Sequence, residues 1–253
     1  MIDYAGLMTR AAMLRKNLGE DSSSPIDIFA MAQNIDKLTI VYYPLGENLS
    51  GMCIKGQEDN NLIAINSSMT LGRQRFSMAH EFYHLFYDDN MISVCAKKID
   101  SGKDTERSAD MFASYFLMPD AALQVRAESL AGEHPDNELT INDVIRVEQY
   151  FGVSHQAAVY RLMHTPYLSD SRGNAFLTES VRSRAETLGY SSDLYRPSPA
   201  GKKYMTYGNY ISQAEQVLEQ GLVSEGKYEE LLMDAFRSDL VYGDETEGGD
   251  VLD

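Results

Sequence analysis

Cysteine is nearly missing from this chain. Cys53 and Cys95 are the only two in 253 residues, far apart and in no CxxC or Cys/His cluster, which excludes a disulfide framework and suits a reducing compartment. Both are expected as ordinary core or surface thiols. Long hydrophobic runs are missing too, because no segment approaches the roughly 18–20 apolar residues that cross a bilayer. The opening MIDYAGLMTRAAMLRKN has no charged start, apolar stretch and small-residue cleavage site in succession, so no secretory leader is read and a cytoplasmic protein is expected. Positive charge is scarce: 22 Lys and Arg stand against 38 Asp and Glu, a net charge of −16. A field of that sign opposes phosphate backbones and anionic membranes. No internal repeat is found.

What is present is ordinary globular material. Hydrophobic residues make up 43% and charged residues 24%, which argues against a mainly disordered chain, and the length suits one main domain with a smaller appendage. Periodicity and capping residues place helices over residues 4–17 and from Ser24-Pro25 onward. Three β-rich runs follow at 38–42, 50–55 and 62–65, with 58–61 as a polar turn, and a small meander or hairpin is expected. Residues 71–87 then read as a helix with Phe76, Ala79, Phe82, Leu85 and Phe86 on one face. After a looser stretch around 100–103, residues 106–118 read as another helix, stopped by Pro119. Gly132 to Asn137 is read as a loop, and Thr140 and Ser154 can cap a helical pair over 140–164. Beyond Pro166 the chain is polar and broken, with a linker at 191–201, helices near 210–220 and 227–236, and a frayed acidic tail from Gly243. The fold class expected is α+β: a mainly helical core with a small antiparallel or mixed β-sheet in residues 1–166, plus a C-terminal helical region in 167–253.

The string that carries chemistry is HEFYH, His80 to His84, inside a segment that independently reads as a helix. Residues four apart on a helix point the same way one turn on, so two imidazoles can meet one tetrahedral ion while Glu81 projects beside them. A catalytic zinc takes a third protein ligand and keeps a fourth position open. Glu106 on the next helix fits the third place, with Asp104 as its nearest rival. Asp110, one turn beyond, can accept the free ring N–H of a ligating histidine and fix its tautomer. Zinc lowers the pKa of its water to about 7, and Glu81 takes that proton and delivers it to the leaving amine. A donor for the developing oxyanion could be His155, Tyr115 or Tyr83, by residue type alone. Residues 50–55 are the candidate edge strand for an extended substrate, with Gly51, Met52 and Cys53 as substrate-binding candidates beside His155. His134 and His164 are read as ordinary polar residues.

Taken together, RQRFSMAHEFYHLFY and ERSADMFASYFLMP resemble the two motifs of the ImmA/IrrE family of bacterial metallopeptidases. The likeness spans roughly residues 24–163 and extends to LTINDVIRVEQYFGVSHQAAVYRL. The resemblance implies a thermolysin-like zincin core in which His80, His84 and Glu106 match the family's zinc ligands and Glu81 its catalytic glutamate. It also implies a protein substrate, typically a helix-turn-helix repressor or antitoxin-like regulator encoded on a mobile element or in a stress-response locus. Residues 167–253 carry no assignable motif and are a candidate for partner docking, with a helical buttress as the alternative. Two other functions compete with proteolysis. One is a transcriptional regulator using residues 140–164 as a helix-turn-helix, although SHQAAVYRLMH offers only Arg161 as a cation. The other is a zinc-bearing interaction module that does not cut, against which the presence of Glu81 speaks.

Overall fold

The computed structural model describes residues 2–96 and 104–243. Two helices, α1 (Tyr4–Asn17) and α2 (Ile28–Gln33), precede strands β1 (Leu38–Tyr43), β2 (Leu49–Ile54) and β3 (Asn61–Asn66). Then come α3 (Leu71–Tyr87), β4 (Ile92–Ala96), α4 (Asp104–Leu117), α5 (Asp120–Ala131), α6 (Ile141–Phe151) and α7 (His155–Leu162). The remainder holds α8 (Asp170–Phe176), α9 (Arg182–Thr187), β5 (Met205–Gly208), α10 (Asn209–Glu219), α11 (Glu225–Asp234) and α12 (Ser238–Tyr242). The architecture is α+β, mainly helical around one small mixed sheet. The stretch around 100–103 and the acidic tail beyond Gly243, both read from the sequence, lie outside the described residues.

The sheet has five strands in the order β4-β2-β3-β1-β5. β2 and β3 form the expected antiparallel hairpin, but the three strands are not a meander, because β1 runs parallel to β3 while β2 also pairs antiparallel with β4. The expected edge strand therefore sits inside the sheet, and the strand at that edge is β4, which the sequence reading passed over. β2 cannot take an extended peptide by strand addition, because its backbone is paired on both sides.

α3 packs between the sheet, through β2 and β3, and α4. Its apolar face brings Phe82 against Phe116, with ring centroids 5.8 Å apart edge to face, and Phe112 stacks on Phe116 at 5.6 Å. All three are fully buried, so the two helices that carry the motifs are fixed to each other by close-packed aromatic rings. α1 covers the other side of α4. There the buried Arg15 donates to the carbonyls of Phe116 (2.7 Å), Asp21 (2.8 Å) and Ser24, tying the N-terminal segment to the end of α4.

Pro119 ends one helix and opens the next. It occupies the N-cap position of α5, where a proline costs nothing because the first N–H groups of a helix have no partner within it. Thr140 caps α6 in a reciprocal capping box with Asp143, and Gly152 ends it in the left-handed conformation at φ 66°. The C-terminal region is stitched into the same body. β5 pairs with β1, the N–H of Leu71 donates to Arg196 O at 2.8 Å, and Phe176, Val181 and Ala185 join the main core.

Candidate metal centre

His80 and His84 lie one turn apart on the sheet-facing side of α3, and Glu106 approaches them from the first turns of α4. The His80 and His84 Nε2 atoms are 3.2 Å apart. Glu106 Oε2 lies 3.4 Å from the first and Oε1 3.6 Å from the second. Donor atoms held about 2.0–2.2 Å from one ion at tetrahedral angles are about 3.3–3.6 Å from each other. The observed separations are close to that size, with Glu106 turning one oxygen toward each ring. Cys95 Sγ on β4 joins them: ligand atoms of His80, His84, Cys95 and Glu106 all lie within 4.8 Å of one another.

The far side of each ring is tied down. Asp110 Oδ1 lies 2.8 Å from His80 Nδ1, and Asp88 Oδ2 lies 2.7 Å from His84 Nδ1. With each Nδ1–H donated to a carboxylate, both Nε2 lone pairs face the same point, where they repel unless a proton or a cation lies between them. Burial works against a charged ring at His80, yet its contacts with Asp110, Cys95 and Glu106 outweigh it and hold its pKa well above the usual value. At His84 burial, together with the neighbouring charge of His80, pushes the pKa down despite Asp88.

Glu81 is fully buried, and neither carboxylate oxygen has a hydrogen-bond partner among the described residues. Burial pushes its pKa up to about 7, against the opposing charge of His80 and the nearby Cys95 thiol. A buried, unsatisfied carboxylate is destabilising by about 1–3 kcal/mol or more, so such groups in native structures call for a functional explanation. The space it fills is made by Gly51 on β2, where a Cβ would stand 2.7 Å from Glu81 Oε1 and 3.0 Å from Ala64 O. Burial likewise pushes the thiols of Cys53 and Cys95 up to about 12.

The other residues singled out from the sequence fall elsewhere. Met52 and Cys53 follow Gly51 along the interior strand β2, and Cys53 is part of the hydrophobic core. His155, on α7, gives both ring nitrogens to other groups, Glu148 Oε1 at 2.6 Å and Phe176 O at 2.8 Å. Asp104 is exposed at the start of α4 and is not one of the four clustered residues. Tyr83 and Tyr115 are buried in the core, the latter beneath the Arg161 guanidinium at 4.5 Å. Sequence reasoning missed Asp88 and Cys95. Asp88 was open to discovery, as an acid four residues after His84 at the end of the same helix. Cys95 carries no such signal, because it reaches the cluster only through strand pairing.

The family Peptidase M78, described as the IrrE N-terminal-like domain, matches residues 36–163, which run from just before β1 to the end of α7 and contain the whole cluster. No curated protein matches the chain.

Proposed function

We propose, for a chain that belongs to the Peptidase M78 family and is therefore a metallopeptidase, that it is a zinc-dependent endopeptidase cutting a cytoplasmic protein. His80, His84 and Glu106 are its metal ligands and Glu81 its general base. The observation that carries this reading is the approach of the two Glu106 oxygens, at 3.4 and 3.6 Å, to two imidazole nitrogens 3.2 Å apart, beside a buried carboxylate without partners. Two imidazoles and a carboxylate suit zinc, and calcium or magnesium would favour a shell of oxygens alone.

Zinc held there supplies Lewis acidity toward a peptide carbonyl and toward the attacking water. The chain's residues do the rest. Asp88 and Asp110 fix the tautomers of His84 and His80 and keep both Nε2 atoms turned inward. Glu81, with both oxygens free of other duties and its pKa raised to about 7 by burial, takes the proton from the attacking water and returns it to the leaving amine. The buried setting strengthens these charge interactions by excluding solvent. An extended substrate lies along β4, the strand at the sheet edge nearest the cluster, which turns Ser93 and Cys95 inward and exposes Ile92 and Val94. The substrate is a helix-turn-helix repressor or antitoxin-like regulator. This rests on the family likeness alone.

Direct DNA binding through α6 and α7 is disfavoured by the fate of the cation on α7, while Arg146 on α6 pairs with Asp143 and Glu133. Arg161 is 5% exposed, donates to Asp120 at 2.7 Å and lies over Tyr115, so it is not available to phosphates or base edges. The test of the peptidase reading is mass spectrometry of a candidate helix-turn-helix repressor after incubation with zinc-loaded wild-type protein or Glu81→Gln. A defined cut made only by the wild type is expected. Equal cutting by Glu81→Gln would remove Glu81 from the mechanism, and an intact repressor in both would remove it as the substrate.

A further inference from the structure

Cys95 is the member of the cluster for which the proposed peptidase mechanism has no use. We propose that its thiolate is the fourth protein ligand of the metal in the resting enzyme, closing the position that catalysis needs and leaving the enzyme latent until β4 shifts. The inference rests on the assignment of His80, His84 and Glu106 as the other ligands.

Several observations converge on it. Sγ stands within 4.8 Å of the ligand atoms of all three, and sulfur, with its longer bond of about 2.3 Å to zinc, closes a tetrahedron with two nitrogens and an oxygen. Cys95 is 1% exposed, but unlike Cys53 it is not part of the hydrophobic core cluster. Its side chain is placed by the register of the sheet. Cys95 pairs with Gly51, the residue whose missing side chain admits Glu81, so strand pairing puts thiol, base and ligands into one space. Ser93 Oγ lies 3.4 Å from Sγ and can donate to a thiolate, and Ser50 Oγ donates to Cys95 O at 3.2 Å. A thiol there either ligates the metal or obstructs the corner that water and the substrate carbonyl require.

The closure is of a kind that can be undone. A zinc with four protein ligands is a structural site, and a catalytic one keeps a position open. β4 is an edge strand, bonded to β2 on one side, with an irregular register between Leu49 and Gly51 opposite Cys95. Moving such a strand breaks few hydrogen bonds. A protein that adds a strand to β4 is placed to draw Cys95 off the metal in the act of binding.

Cobalt(II) in place of zinc reads the ligands without any assay of activity. The wild type is expected to show visible bands of a tetrahedral ion together with an intense near-ultraviolet thiolate-to-cobalt band. Cys95→Ser and Cys95→Ala should lose the latter and keep visible bands, and Cys53→Ser should keep both. Turnover of a cleavable peptide by the zinc forms should rise in the two Cys95 variants. A wild-type spectrum with visible bands but no thiolate band overturns the inference and leaves the other ligands standing. Visible bands that survive in His80→Ala, or no cobalt binding at all, overturn the ligand reading and this inference with it. The wild-type spectrum alone is decisive, even if a Cys95 variant fails to fold.

Discussion

At the scale of single residues, Gly51 makes room for Glu81, the proposed base, by having no side chain. Any Cβ there would stand 2.7 Å from Glu81 Oε1, and since Glu81 is fully buried, the carboxylate could yield only by moving within the site. Gly51→Ala is therefore expected to keep its fold and metal content and to lose turnover by about 10²-fold, the effect of an ångström-scale misplacement of a catalytic group. Steady-state kinetics beside zinc analysis checks this; wild-type kcat in a folded variant would show that Glu81 has room to spare. Gly51 was legible in the sequence only as a substrate-binding candidate on the expected edge strand, where a glycine permits close approach. What approaches is the carboxylate of Glu81, a contact between β2 and α3 that spacing along the chain cannot reveal. His80, Glu81 and His84 could be picked out because one helix turn relates them, and Asp110 because it follows Glu106 by another. Cys95 could not, since it lies on a different element from each of its neighbours in the cluster.

At the scale of elements, the helices with strong periodicity or a clear cap were legible, and the pairing of strands was not. The Thr140 box and Gly152 mark both ends of α6 in the sequence as in the structure. β4 escaped because ISVCA is a run of five residues with Ile92 and Val94 exposed, and β1 lies beside β3 through a crossover, a long-range choice with no local signature. α5 was hidden by Pro119, read as a stop alone. The helical pair α6 and α7 also holds a buried polar network. Glu148, fully buried, accepts from His155 at 2.6 Å and from the Tyr195 hydroxyl at 2.8 Å. Burial disfavours a charged ring at His155, but the Glu148 carboxylate prevails and raises its pKa. A raised folded-state pKa contributes stability that is fully present below the unfolded value of about 6.5 and is lost as pH rises through the folded one. Thermal midpoints of the wild type should accordingly fall from about pH 6 upward, and His155→Gln should flatten that slope. An unchanged slope in the variant would place the pH dependence elsewhere.

At the scale of the whole molecule, the C-terminal region belongs to the body that carries the cluster. β5 completes the sheet beside β1, and Ser198 Oγ donates to Gln74 Oε1 at 3.0 Å, bracing the start of α3. Its sequence was legible as helices and a linker. The strand within it was not, because MTYG is four residues long and gains its partners from 163 to 169 positions away. The chain carries a net charge of −16, and its proposed metal ligands His80, His84 and Glu106 are flanked by the carboxylates of Asp88 and Asp110. Among the described residues no helix is long and apolar enough to cross a membrane. The central claim is that these side chains hold a zinc ion while Glu81 does not. Zinc per chain, measured after dialysis against a weak chelator, tests it directly. About one equivalent is expected in the wild type and in Glu81→Gln, with loss in His80→Ala, His84→Ala and Glu106→Ala; full retention of zinc in those three variants would contradict it.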